Sequence, residues 1–130
     1  MSLMRSIKEF VRRFTQTFNG VNILINNACI TTQKREITAD GVERTIGTDF
    51  IGPHILTKLL LPYFKSDGDN RIIIASSYFY GVGKFTIKKI NDYCWIKAYT
   101  VSKYALLLMT LELSDKLKDI ALPTMPFAQA

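Results

Sequence analysis

Cysteine is scarce in this chain, histidine and tryptophan occur once each, and no apolar run approaches the length of a membrane span. Each shortage excludes something. Cys29 and Cys94 are too few and too far apart for a disulfide framework, and they stand at no metal-ligand spacing. Both read as reduced thiols in a cytoplasmic compartment. His54 has no cysteine or carboxylate at ligand spacing, so no metal site is expected. A bilayer needs about 18 consecutive apolar residues, and neither such a run nor an Asn-X-Ser/Thr acceptor occurs, which argues against a spanning or secreted chain. Charge of one sign is not concentrated either. The net charge of +6 is spread along the whole length, with 9 basic and 5 acidic residues in 1–65 and 8 and 6 in 66–130. The lysines of "GKFTIKKINDY" (83–93) alternate with aromatics, but no stacking-platform motif accompanies them. A solvated loop accounts for them, and no nucleic-acid partner is expected.

What remains is ordinary globular material: 48% hydrophobic and 22% charged over 130 residues, enough for one domain, 1–130. In "MSLMRSIKEFVRRFTQTFNG" the residues Leu3, Met4, Ile7, Phe10, Val11, Phe14 and Phe18 recur at helical spacing, with Arg5, Lys8, Arg12 and Arg13 mostly opposite. Gly20 is placed to stop that helix. Its basic, acid-poor character also fits a mitochondrial presequence or a membrane-surface helix, while a helix covering one face of a sheet meets the same stripe.

Val21 to Ile25 is a short β-branched run closed by Asn26, which reads as a strand buried on both faces. After the turn-prone "TTQKREITADG", a second helical periodicity runs from about Val42 to Phe64. Pro53 and Pro62 lie inside it, so a kink is expected near Gly52. "SDGDNR" (66–71) is a turn, "IIIA" (72–75) a second two-face-buried strand ending at Ser76 and Ser77, and a last helix runs from about Ala98 to Lys118. Helices alternating with continuous apolar strands predict an α/β fold with a parallel sheet. Ligands in such sheets bind beyond the carboxyl ends of the strands, here Asn26–Asn27 and Ser76–Ser77.

"AYTVSKYALLL" (98–108) opens that last helix. Tyr99 and Lys103 are four apart and so share a face, with Ala105 to Leu111 expected to be buried. A free phenol ionises only near pH ~10 and exchanges protons poorly at neutrality, whereas a neighbouring ammonium favours the phenolate. With a serine hydroxyl from a strand end to hold an oxygen, these groups form a proton relay between an alcohol and a carbonyl.

"NNAC" after a buried strand, "IGTDFIGPHILT" in the middle helix, "IIIASS" at the next strand end and "YTVSK" opening a helix together resemble the short-chain dehydrogenase/reductase superfamily. "RSIKEF", "ILINNA" and "KAYTVSK" are most similar to its branch of retinol dehydrogenases and related dehydrogenase/reductases. The likeness runs from about Arg5 to Lys118, leaving 119–130 as a divergent tail. It implies a partial, doubly wound Rossmann-like sheet with flanking helices, lacking the first βαβ unit and the last strands. It also implies NADP or NAD as cofactor and a small lipophilic alcohol or carbonyl as substrate, possible classes being retinoids and steroids. By resemblance Tyr99 matches the catalytic acid/base, and Lys103 the lysine that readies it and hydrogen-bonds the nicotinamide ribose. Ser77 matches the hydroxyl that orients the carbonyl, with Ser76 its alternative; Asn26 and Ala28 match the turn lining the dinucleotide pocket.

The sequence departs from the family at Cys29, where glycine is usual, at Asp49, where an asparagine is usual, and at Pro53. The family's glycine-rich phosphate turn is expected ahead of the matched region, and residues 1–20 hold no Gly-x-x-x-Gly-x-Gly. Two expectations follow: an oxidoreductase working through Ser77, Tyr99 and Lys103, or an inactive fragment retaining an association surface. In the family the helices at about 42–65 and 98–118 often pair with those of a second subunit, so a homodimer is the expected assembly. Relatives include membrane-associated proteins.

Overall fold

The apolar stripe of the first twenty residues winds into α1 (Leu3–Thr17), in a computed structural model that describes residues 3–65, 69–78, 93–117 and 124–127. Val11 is its buried contact with the core, and Phe10, Phe14 and Phe18 stack along it at 5.9 and 5.0 Å between ring centroids. On the outer side Glu9 binds both Arg12 (2.8 Å) and Arg13 (2.6 Å), and this pairing lowers the Glu9 carboxyl to about 2. Gly20 follows the helix with φ +139°, and a Cβ there would lie 2.9 Å from the Tyr63 carbonyl oxygen. Only glycine fits that turn into the sheet.

β1 (Ile23–Asn26) and β2 (Arg71–Ala75) pair in parallel, with Leu24 opposite Ile72 and Asn26 opposite Ile74. The end of the chain adds β3 (Thr124–Phe127), parallel to β2, so the order is β1-β2-β3. One strand therefore lies in the stretch that the sequence left to a divergent tail. Pro126 concealed it, since proline argues against a strand unless it lies at an edge, as β3 does.

The middle periodicity becomes three pieces. Glu43 caps α2 (Arg44–Ile46), its carboxylate accepting from the Thr45 and Ile46 N–H groups at 2.9 Å. A π-helical turn (Gly47–Ile51) then widens the helix before α3 (Gly52–Leu60). The expected kink is thus a widened turn, because Pro53 has no N–H to give to the carbonyl four residues back. Pro62 closes the segment in a 3₁₀ turn.

α4 (Trp95–Lys116) starts one turn earlier than Ala98. The core packs α1, α3 and α4 on one side of the sheet: Val11, Leu24, Leu60, Ile72, Ile74, Leu106 and Met109. Two expectations are corrected here. β1 is not buried on both faces, since Ile23 and Ile25 are 53% and 61% exposed while Leu24 between them is 9%. α4 is not covered all round either, since Tyr104, Leu108 and Leu111 face solvent at 37%, 49% and 57%. An apolar run reports strand or helix, but whether a second layer covers it depends on what the chain supplies. The stretch 83–92, half of the 66–71 turn (66–68) and Lys118 lie outside the described residues. Among the described residues no helix is long and apolar enough to cross a membrane.

Candidate active site

The opening of α4 is anchored by small buried residues. Ala98, Thr100 and Ser102 are buried, Thr100 Oγ1 donates to the Ile96 carbonyl at 2.6 Å, and Ser102 Oγ donates to the Tyr99 carbonyl at 2.7 Å. Tyr99 is half-buried and Lys103 only 3% exposed. An ammonium that deeply placed needs an acceptor. It has one in the carbonyl oxygen of Ala75, the last residue of β2, 3.2 Å from Nζ. The same Nζ lies 5.5 Å from the centroid of the Tyr99 ring. The four-residue spacing therefore does what it predicts, joining phenol and amine on one face.

The strand end meets this face. Ser76 Oγ donates to the Lys103 carbonyl at 3.4 Å, and half-buried Ser77 follows it in the chain. At the end of β1, Asn26 is buried and its Nδ2 donates to Thr57 Oγ1 at 3.0 Å, which ties the strand to α3. Ala28 and Cys29 lie beyond it, exposed. The side-chain nitrogen of Asn26 is thus committed to the scaffold.

Asp49, in the π turn, is 1% exposed. It accepts the Ile30 N–H at 2.8 Å and the Ser102 hydroxyl at 3.3 Å. Burial pushes its carboxyl above the usual range, with the Ile30 N–H, the Lys103 charge and Ser102 opposing that rise and Glu43 adding to it. His54 on α3 stands 5.8 Å from the Phe50 ring, and burial, followed by Lys58, lowers its imidazole. It borders a shallow groove between α3 and α4, with Lys58, Met109, Glu112 and Leu113 on its walls. Among the described residues no group of His, Cys, Asp and Glu is arranged to hold a metal ion.

One cluster went unread in the sequence. The Tyr93 hydroxyl donates to the Thr32 carbonyl (2.7 Å), lies 2.8 Å from Thr32 Oγ1 and 3.3 Å from Glu43 Oε1. Thr32 in turn meets the fully buried Thr45 at 3.2 Å. This knot fastens the entry of α4 to the loop after β1. A phenol six residues ahead of Tyr99 was its only signal.

A phenol, an amine and the Ser76 hydroxyl lie together at the carboxyl edge of a parallel sheet, the kind of place and the kinds of groups that suit the nicotinamide end of a dinucleotide. No Gly-x-x-x-Gly-x-Gly for a pyrophosphate occurs in the 130 residues. The family model described as short chain dehydrogenase matches residues 1–122. Retinol dehydrogenase 13 from Mus musculus is 34% identical over 122 residues, covering 91% of this chain and 36% of that protein. Dehydrogenase/reductase SDR family member 12 from Bos taurus is 37% identical over 91 residues, 70% of this chain and 27% of the relative. A crystal structure of an uncharacterised protein from Mycobacterium paratuberculosis superposes with a TM-score of 0.74 at 35% identity, over 91% of this chain and 44% of its own. The chain thus spans about a third of the length of these curated relatives. With a family match over nearly every residue, and a parallel sheet flanked by helices that superposes on a solved relative, the chain belongs to the short-chain dehydrogenase family of oxidoreductases and carries part of its Rossmann fold.

Proposed function

We propose that this chain carries the alcohol–carbonyl centre of an NAD(P)-dependent oxidoreductase, with Tyr99 as acid/base, Lys103 as its charged partner and Ser77 as the hydroxyl that holds the substrate oxygen. The observation that carries this reading is the buried Lys103 ammonium, tied to the end of β2 through Ala75 and held 5.5 Å from the Tyr99 ring. A positive charge fixed there stabilises the phenolate left when Tyr99 gives up its proton to a carbonyl oxygen. In the reverse direction the phenolate receives the proton of an alcohol. A nicotinamide dinucleotide, when bound, supplies or accepts the hydride. Tyr99, Lys103 and the backbone of Asn26–Ala28 would hold its nicotinamide end. The relative named for retinol supports a lipophilic alcohol or carbonyl as substrate.

Oxidation of NADH and NADPH by the full chain, measured with a panel of aldehydes, tests this. Tyr99→Phe should lower the rate by roughly 10²–10⁴-fold, the usual contribution of a positioned general acid. Equal rates for the two proteins would end the proposal.

A second reading, a chain that associates without turning over substrate, is favoured by the exposed stripe Tyr104, Leu108 and Leu111 on α4, next to the α3–α4 groove. It predicts pairing of two copies through these helices and no dinucleotide binding by calorimetry. Tight NADPH binding would refute it.

A further inference from the structure

The face of α4 that carries Tyr99 and Lys103 continues outward past the phenol. Positions 95, 99 and 103 recur every four residues in one unbroken helix, so their side chains rise one above another. The inner rung is seen directly, as the Lys103 Nζ 5.5 Å from the Tyr99 ring. The outer rung is Trp95, the single tryptophan of the chain. Burial falls away along this face, from Lys103 at 3% exposed, through half-buried Tyr99, to Trp95 at 44%. Trp95 takes no part in the hydrophobic core. Its neighbour Ile96 is also 44% exposed, and on the strand side Tyr78, directly after Ser77, is 82% exposed.

A lone exposed aromatic needs no explanation. This one stands a single helical turn from the reactive phenol, where four residues at 1.5 Å rise put it about 6 Å along the axis. A molecule whose oxygen is held at Tyr99 and which extends along this face of α4 brings its next ring within reach of the indole. We propose that Trp95 is a specificity-determining residue: its indole is the platform on which a flat, ring-bearing, apolar carbonyl compound or alcohol stacks while its oxygen sits at Tyr99. The inference rests on Tyr99 as acid/base only for where that oxygen lies. Stacking on an aromatic face rewards flatness as well as apolar area, so the site should prefer an aryl ring to a saturated one of equal size.

Acetophenone and cyclohexyl methyl ketone share a carbon skeleton and differ in ring flatness, which makes them suitable probes. Each is titrated into the full chain, read by the fluorescence of its only tryptophan and by calorimetry. Acetophenone should quench saturably and bind about fivefold tighter than its saturated counterpart, as a stacked aromatic pair predicts. Trp95→Ala should erase that preference in calorimetry, and Trp95→Phe should restore most of it. Leu111→Ala, a surface change elsewhere on α4, should leave it intact. Quenching that grows linearly without saturating, or an undiminished preference in Trp95→Ala, overturns the proposal. Tyr99→Phe should keep the preference. A flat-ring preference without turnover would therefore sink only the catalytic reading, and turnover indifferent to Trp95 would sink only this one.

Discussion

Asp49 puts a carboxylate at 1% exposure between the loop after β1 and the opening of α4. Its folded pKa is raised, mainly by burial, so the fold prefers the neutral acid. The stability drawn from that preference is fully present below the unfolded carboxylate value of about 4 and is lost as the pH rises through the folded one. Asparagine keeps the shape and is neutral at every pH; it can accept from Ile30 and donate to Ser102. Asp49→Asn should therefore melt above the parent near neutral pH, with the gap closing towards about pH 4 in thermal scans. A variant that melts lower at neutral pH would show that the charge is needed. Tyr93→Phe should cost about 1 kcal/mol, and amide exchange should quicken in the loop around Thr32. Legibility at this scale followed sequence distance. Tyr99 and Lys103 are neighbours on one helix, so their partnership was visible in their spacing. Tyr93 and Thr32 meet across 61 positions, and Asn26 and Thr57 across 31, and no periodicity encodes such pairs.

Among the elements, the ones set by local chemistry were those read correctly. The stripe of α1, the β-branched runs of β1 and β2 and the proline-driven disturbance before α3 all follow from residues close to one another. β3 was missed because a strand holding Pro126 exists only through its pairing with β2. The same logic marks the weak joints. Gly20→Ala must fit a side chain at φ +139° and 2.9 Å from a backbone oxygen, so it should lose more than about 1 kcal/mol in chemical denaturation. Glu43 caps two N–H groups of α2 and also reaches the Tyr93 hydroxyl at 3.3 Å. Glu43→Ala should cost about 1 kcal/mol, with Glu43→Gln recovering a good part of it.

At the scale of the whole molecule, the described helices pack on one side of a parallel sheet. The order of strands and helices was legible because parallel neighbours require a helical crossover. The one-sidedness was not, because Ile23 and Ile25 look the same in sequence whether or not anything covers them. Their exposure, with that of Leu108 and Leu111, leaves two apolar surfaces on one small body. If copies pair as the second reading proposes, Leu111→Lys should lower the average mass in sedimentation at a given concentration. Ile25→Lys, on the sheet, should leave that pairing unchanged if α4 is the interface. The exposed Ile23 and Ile25 have a colloidal consequence. A net charge of +6 keeps copies apart over roughly 30 Å in dilute buffer but over only about 3 Å in molar salt. Ionic strength should then govern whether these molecules repel or adhere, and light scattering should climb with added sodium chloride as the sheet faces come within reach of one another.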